Sequence, residues 1–196
     1  MTTLTSHPQT IESVINKTAV TGEQLLEMGD IGRTELVKGK IIKLPPHEIL
    51  HASTLAIIGS LLVDFVRKHK LGQILGGGVG IYTHRNSDTV REVDIAFISN
   101  EKMSQAGETG FLDVAPELIV EIMSPSDRWM DIQEKLAEYF TIGVQLVLLV
   151  DPQLEQTHVY RSLDDTTRLT AEDTLTTPEL LPGFSVPLTE IFEMNG

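Results

Sequence analysis

Two acidic residues lie within apolar segments of the sequence, where charged side chains are uncommon. Asp94 stands in TVREVDIAFIS and Glu121 stands in ELIVEIMS. An ionised carboxylate in a buried strand is costly unless it is paired or bound to a metal ion. If the two strands are neighbours, both carboxylates can share one face and bind Mg²⁺ or Mn²⁺, which would activate water for phosphate-ester hydrolysis. The sequence therefore predicts a divalent-metal site built on Asp94 and Glu121.

A structural role is the alternative for each acid. Either carboxylate could form an ion pair with Arg91 or Arg128, or accept hydrogen bonds from loop amides. The occurrence of both acids in similar apolar strands favours a functional site over two unrelated structural pairs.

Lys135 is the candidate cation of the site, because it lies on the helix predicted to follow the Glu121 strand. Its ammonium could reach back over the strand ends and orient the attacking water or stabilise charge on the phosphate. The alternative is an ion pair with Asp131, one helical turn earlier on a solvated face.

The N-terminal part of the chain carries signals for two helices and a hairpin. Thr21 is predicted to cap a helix over GEQLLEM, and apolar residues at helical spacing predict a second helix over 49–70. Between them, TELVKGKIIKL alternates around a Lys-Gly turn and predicts a β-hairpin with strands over 35–37 and 40–44.

The middle of the chain predicts a sheet. The runs QILGGGVGIYTH, TVREVDIAFIS and ELIVEIMS have strand character, and the glycines of the first indicate a bulge, since no phosphate-loop pattern surrounds them. A helix capped by Ser126 or Asp127 and ending near Gly143 then leads to the apolar strand VQLVLLVD. A strand reached through such a crossover helix is expected to pair parallel with the Glu121 strand. The predicted class is α/β, a mixed sheet flanked by helices.

Composition sets limits on the class of protein. The chain has 196 residues, no cysteine and a net charge of −13. It is predicted to form a loosely ordered segment over 1–20 and one domain over 21–196. No uninterrupted apolar run reaches the length of a membrane span, and no secretory signal is visible, so no membrane association and a cytoplasmic location are expected. The acidity disfavours loose binding to nucleic acid, although a metal ion can invert the field of a compact acidic site.

Several segments together resemble the Uma2 family, also known as DUF820, of restriction-endonuclease-like proteins. They are TELVKGKIIKLPP, HASTLAIIGSLL, VREVDIAFIS, PELIVEIMSPSDR, KLAEYFTIGVQLVLLVDP and LPGFSVPLTEIF, in the order of the family and spanning 34–192. The resemblance implies a PD-(D/E)xK nuclease fold with an N-terminal β-hairpin, in which Asp94 and Glu121 are the two acids.

The resemblance also has departures and additions. Met123 stands at the usual lysine position and Val93 replaces the proline before the aspartate, so the family pattern assigns the lysine role to Lys135 on the following helix. Glu35 and His51 match family positions that could add a ligand or position water. The alternatives are an exposed hairpin acid opposite Lys43 for Glu35 and a structural residue at the helix start for His51. With His47, His51 also has the spacing of a zinc pair, but that pair straddles the predicted helix start.

The resemblance implies a metal-dependent endonuclease that acts on nucleic acid, DNA in preference to RNA, with Asp94, Glu121, Lys135, Glu35 and His51 in the site. A homodimer is expected if both strands of a duplex are cut. A nuclease fold retained for binding without catalysis, or a hydrolase of smaller phosphate esters, would explain the same residues.

Overall fold

The computed structural model describes residues 19–107 and 109–193. The predicted loosely ordered segment 1–20 therefore lies, apart from Ala19 and Val20, outside the described residues.

The predicted N-terminal elements form, with small changes of boundary. Helix α1 (Gly22–Glu27) begins with a capping box, in which Thr21 accepts from the Gln24 amide and Gln24 accepts from the Thr21 amide. Strands β1 (Thr34–Val37) and β2 (Lys40–Lys43) form the hairpin, with the left-handed Lys38 and Gly39 at its turn.

Helix α2 (Ile49–His69) is long and ends at Lys70, which adopts the left-handed conformation. It buries one face, including Ile58, Leu62 and Val66, against the sheet. By length and composition alone it could also span a membrane, a test that the core helix of a globular domain also passes. The expected absence of membrane association therefore stays a prediction.

The described strands form a large mixed sheet and a separate hairpin. Besides β1 and β2, the large sheet contains six strands: β3 (Gly72–His84), β4 (Thr89–Ser99), β5 (Leu118–Ile122), β6 (Leu146–Asp151), β7 (Gln156–Tyr160) and β8 (Thr166–Thr170). The order is β2-β1-β4-β5-β6-β7-β8, with β3 also paired to β4. Strands β5 and β6 run parallel, as predicted, and the other pairs are antiparallel. The predicted bulge is confirmed by a register shift between Gly76 and Val79.

The remaining elements complete the layers around this sheet. They are helices α3 (Asn100–Met103), α4 (Trp129–Ile142) and α5 (Thr189–Phe192), and strands β9 (Thr174–Thr176) and β10 (Ser185–Pro187), which pair with each other. Helix α4 packs Ile132, Leu136 and Tyr139 into a second apolar cluster, separate from the one under α2. The sheet is thus flanked by helices, as predicted.

The predicted start of α4 is wrong in one detail. Arg128 occupies the N-cap position, and none of the described side chains caps the helix. The Asp127 carboxylate instead accepts a hydrogen bond from the Ser124 amide at 2.7 Å, closing the turn after β5. The predicted end of the helix is confirmed, because Gly143 follows it with a φ of 99°.

Strand β4 has an interrupted edge, and this interruption positions the candidate site. One edge of β4 pairs with β3 along most of its length, whereas the other meets β1 at Val90 and β5 from Ile95 onward. Residues 91–94 lie between these two pairings. Polar side chains from this stretch can therefore meet side chains from β1, β5 and α4.

Candidate active site

A small cavity of about 70 Å³ gathers four of the five predicted site residues. Asp94, Glu121, Lys135 and His51 all line it. The fifth residue, Glu35, borders it through an ion pair with the Lys135 ammonium. Residues from β4, β5, α2 and α4 therefore converge, although they are far apart in the sequence.

Asp94 is fixed in its ionised form by two partners. Its side chain is buried, and Oδ2 accepts a hydrogen bond from the Ile122 amide at 2.8 Å and lies 3.1 Å from His51 Nε2. Burial acts to raise the pKa of Asp94, but the His51 and Ile122 contacts outweigh it and leave this pKa below the usual value. Asp94 thus presents a carboxylate at neutral pH.

Glu121 lies beside Asp94 on the neighbouring strand. The antiparallel register that pairs Ile95 with Val120 brings Asp94 and Glu121 opposite each other at the next position. Such cross-strand neighbours have side chains on one face of the sheet. The two acids therefore share a face, as the sequence predicted for adjacent strands.

The surroundings of Glu121 differ from those of Asp94. Its Oε1 accepts a hydrogen bond from the Tyr139 hydroxyl and lies 3.7 Å from Lys135 Nζ. Burial raises the pKa of Glu121 to about 7; Lys135 opposes this rise and the nearby Asp94 adds to it. The pair therefore carries less than two full negative charges near neutral pH while no cation is bound.

Lys135 points into the site. Its Nζ lies 2.8 Å from Glu35 Oε1. The alternative partner, Asp131, instead has Arg128 at 4.0 Å. Burial disfavours the charge of Lys135, but Glu121 and Glu35 outweigh it and raise the pKa of the ammonium above its usual value. Lys135 is therefore a fixed positive charge over the two strand acids.

Glu35 belongs to a buried ion network rather than to an exposed hairpin surface. It is 3% exposed, and Arg91 Nη1 donates to its Oε2 at 2.9 Å. The Nε and Nη2 groups of Arg91 each donate at 2.7 Å to Glu138 of α4. The suggested pairing of Arg91 or Arg128 with Asp94 or Glu121 is wrong, because Arg91 holds Glu35 and Glu138 and Arg128 faces Asp131 instead.

His47 and His51 do come together, although they straddle the start of α2. Their rings stack with centroids 4.0 Å apart and an interplanar angle of 27°. One nitrogen from each ring and one Asp94 oxygen lie within 4.8 Å of one another. Burial lowers the pKa of His47, which favours its neutral form, the form that binds metal ions. His51 Nδ1 is buried with no hydrogen-bond partner among the described residues.

These residues fit a divalent cation. Asp94 and Glu121 supply oxygens on one face, and His51 offers an unpartnered buried nitrogen at the same cavity. An ionised carboxylate together with imidazole nitrogens is a suitable donor set for such an ion.

The sequence did not indicate Tyr139 or Glu138 as site residues, and it suggested Arg91 only as an ion-pair partner of the two strand acids. Tyr139 and Glu138 follow Lys135 at helical spacings of four and three residues, so the sequence contained a signal that they share its face. Tyr139 also continues the apolar spacing of Ile132 and Leu136, which indicates a core position. Its ring does pack there, while its hydroxyl reaches Glu121.

The fold is of the mixed α/β class, and a solved structure shares it. A crystal structure from Anabaena variabilis ATCC 29413, described as that of a "putative nuclease belonging to DUF820", matches with a TM-score of 0.75 and 18% sequence identity. The match covers 89% of this chain and 98% of the other. At this identity the likeness establishes the fold, and it confirms the predicted class.

The Uma2 family model, described as "Putative restriction endonuclease", matches residues 23–189. The chain belongs to the Uma2 family, as its motifs indicated. A search of curated proteins gave no match.

Proposed function

We propose that this protein is a metal-dependent endonuclease that hydrolyses phosphodiester bonds of nucleic acid. The observation that carries the proposal is the single cavity in which Asp94, Glu121 and Lys135 meet. Two acids and one cation on adjoining strands and a helix are suited to phosphodiester hydrolysis. The membership of a family described as restriction endonucleases supports nucleic acid as the substrate and favours DNA over RNA.

Asp94 and Glu121 would hold Mg²⁺ or Mn²⁺ between them. When bound, such an ion activates water and offsets charge on the scissile phosphate. His51 keeps Asp94 oriented through the contact between Nε2 and Oδ2. Tyr139 fixes one oxygen of Glu121, which leaves the other free to act as a ligand.

Lys135 would act on the substrate itself. Its ammonium is ionised and 3.7 Å from Glu121, so a phosphate entering the cavity meets a positive charge next to the two acids. Glu35 holds the ammonium in place from the opposite side, and Arg91 holds Glu35. Lys135 can thus orient the attacking water and stabilise the developing charge.

The test is a cleavage assay with single-stranded DNA, duplex DNA and RNA in Mg²⁺ and in Mn²⁺. We expect Asp94→Asn, Glu121→Gln and Lys135→Met each to lower the rate by about a hundredfold or more. Glu101→Gln, an exposed acid on α3, is the matched control and should leave the rate unchanged. Activity that persists in all three site variants would overturn the proposal.

A non-catalytic binding protein is the second candidate, favoured by the net charge of −13 and by the pairing of Lys135 with Glu35. It predicts nucleic acid or protein binding with no cleavage under any of these conditions. Cleavage of small phosphate esters alone would indicate the smaller-substrate hydrolase instead.

A homodimer would place two sites on a duplex, one for each strand. Light scattering of the purified chain at several concentrations measures this directly. A chain that stays monomeric at every concentration and still cuts both strands would contradict the dimer.

A further inference from the structure

The histidine side of the cavity differs in chemistry from the two strand acids. His47 and His51 each offer an imidazole nitrogen, and Asp94 offers an oxygen, all within 4.8 Å of one another. Ligand atoms around one ion bound at 2.0–2.2 Å are roughly 3 to 4.4 Å apart. The three ligand atoms, all within 4.8 Å of one another, therefore lie close to the spacing that one ion requires.

The cluster contains a nitrogen that nothing in the described chain satisfies. His51 is 4% exposed, its Nε2 faces Asp94, and its Nδ1 has no hydrogen-bond partner. A buried polar atom without a partner is costly, and an imidazole nitrogen in that position can accept a metal ion. Within the described chain, therefore, only the Nε2 atom of this buried ring has a protein partner.

The position of His47 is also fixed by contacts of the segment that carries it. It lies just before α2, in the segment that follows Pro45, and Arg33 Nη1 donates a hydrogen bond to the Pro45 carbonyl at 2.7 Å. The stacking of His47 on His51 then holds the two rings together. The segment entering α2 therefore delivers a second imidazole to the cavity.

We propose that His47, His51 and Asp94 select a borderline transition ion, such as Mn²⁺, Co²⁺ or Zn²⁺, over Mg²⁺. Imidazole suits these ions, whereas Mg²⁺ prefers oxygen ligands and keeps several of its waters. The inference rests on the proposed function, because Asp94 serves both. It adds His47 and His51 as ligands and narrows the identity of the ion.

The experiment measures binding without nucleic acid. The full chain is prepared without a histidine tag, freed of metal with a chelator, and titrated with Co²⁺ while the visible absorption of the ion is followed. Replacement of water by nitrogen ligands changes that absorption. A parallel calorimetric titration uses Mn²⁺, with Mg²⁺ as competitor.

We expect His47→Ala to weaken Co²⁺ binding by about tenfold or more and to reduce the change in absorption. His51→Gln should weaken binding at least as much. His84→Ala, an exposed histidine at the end of β3, is the matched control and should bind as the unaltered chain does. Thermal unfolding of the metal-free variants checks that His47→Ala, whose side chain lies outside the core, keeps the fold.

Two outcomes overturn the inference: Co²⁺ binding that is the same in His47→Ala, or Mg²⁺ displacing Co²⁺ at equal concentration. Failure of the proposed function is recognised separately. If Co²⁺ binds through His47 but no metal supports cleavage, the metal site stands and the nuclease proposal falls. If Mg²⁺ supports cleavage and His47→Ala changes neither Co²⁺ binding nor the cleavage rate, the nuclease proposal stands and the histidine metal site falls.

Discussion

Glu121 is the residue whose charge depends most on the state of the site. Burial raises its pKa to about 7, while the neighbouring Asp94 stays ionised because His51 and the Ile122 amide hold its pKa low. In the metal-free site, the Glu121 carboxyl is therefore partly protonated near neutral pH. A bound cation would favour the ionised form of both acids, so metal binding should release that proton.

The raised pKa of Glu121 has a consequence for stability. Its folded pKa, about 7, exceeds the ordinary value of 4.5, so between these two pH values the folded state binds more protons than the unfolded state. Stability of the metal-free protein then falls as pH rises through this window, by about 3 kcal/mol at most.

Glu121→Gln should remove this part of the pH dependence. Urea unfolding in a chelator, from about pH 5 to about pH 8, gives the free energy of unfolding of both proteins. We expect the variant to gain stability relative to the unaltered chain as pH rises. A difference that stays constant with pH would contradict the assignment.

At the scale of elements, helix α4 is the part that assembles the site. Its inner surface carries Lys135, Glu138 and Tyr139, which contact Glu35, Arg91 and Glu121 respectively. The apolar residues Ile132 and Leu136 anchor the same helix to the sheet. The polar network therefore depends on packing of α4 across the gap between β1 and β5.

Arg91 ties three elements together, and its removal should be costly. Arg91→Ala would leave the buried Glu35 and the partly buried Glu138 without their shared cation. Breaking a buried pair on one side typically costs about 3–5 kcal/mol. Urea unfolding at neutral pH measures this loss.

The matched control is Arg161→Ala, which removes a partly exposed pair with Glu179. Such pairs contribute up to about 1 kcal/mol. Equal losses in the two variants would mean that the buried network does not join α4 to the sheet.

Tyr139 is a positioning residue for Glu121, and Tyr139→Phe tests that role. The lost hydroxyl no longer stabilises the carboxylate, so the pKa of Glu121 should rise further while the ring keeps its packing. Carboxyl-carbon NMR titration of the metal-free chain follows this pKa directly. The control is Tyr160→Phe, which changes a buried tyrosine on β7. If the pKa of Glu121 is unchanged in Tyr139→Phe, Tyr139 does not position Glu121.

The sequence predicts the elements well because their hydrophobic periods are strong. The apolar strands around Asp94 and Glu121, the crossover helix and the parallel strand after it all follow from local pattern. Adjacency of the two acid-bearing strands was an assumption at that level, and the register Ile95–Val120 confirms it.

The features that the sequence does not predict depend on contacts between elements that are distant in the chain. The pairing of Arg91 with Glu35 and Glu138 depends on the gap in the edge of β4, which no local pattern encodes. His47 was discounted because it precedes the helix, yet the chain entering α2 stacks it on His51. The predicted cap at Ser126 or Asp127 is wrong because the Asp127 carboxylate accepts a hydrogen bond from the Ser124 amide in the turn after β5.

At the scale of the whole molecule, charge limits how nucleic acid can bind. The chain has 28 acidic and 15 basic residues. The two basic side chains that line the cavity are already paired, Arg33 with Glu92 and Lys135 with Glu35. Binding should therefore rely on the metal ion and on few phosphate contacts, unlike proteins that bind through a broad basic surface.

This charge balance predicts a weak salt dependence of DNA binding. Each neutralised phosphate contributes about 0.9 to the slope of log K against log salt, so we expect a slope of about 2 or less in magnitude. Fluorescence anisotropy of the unaltered chain with labelled duplex DNA, at a fixed Mn²⁺ concentration, measures this slope. Adding Glu92→Gln frees Arg33 and should tighten binding and steepen the slope by about 1. A slope of about 5 or more before that change would mean that an extended basic surface, rather than the metal-centred cavity, carries the binding.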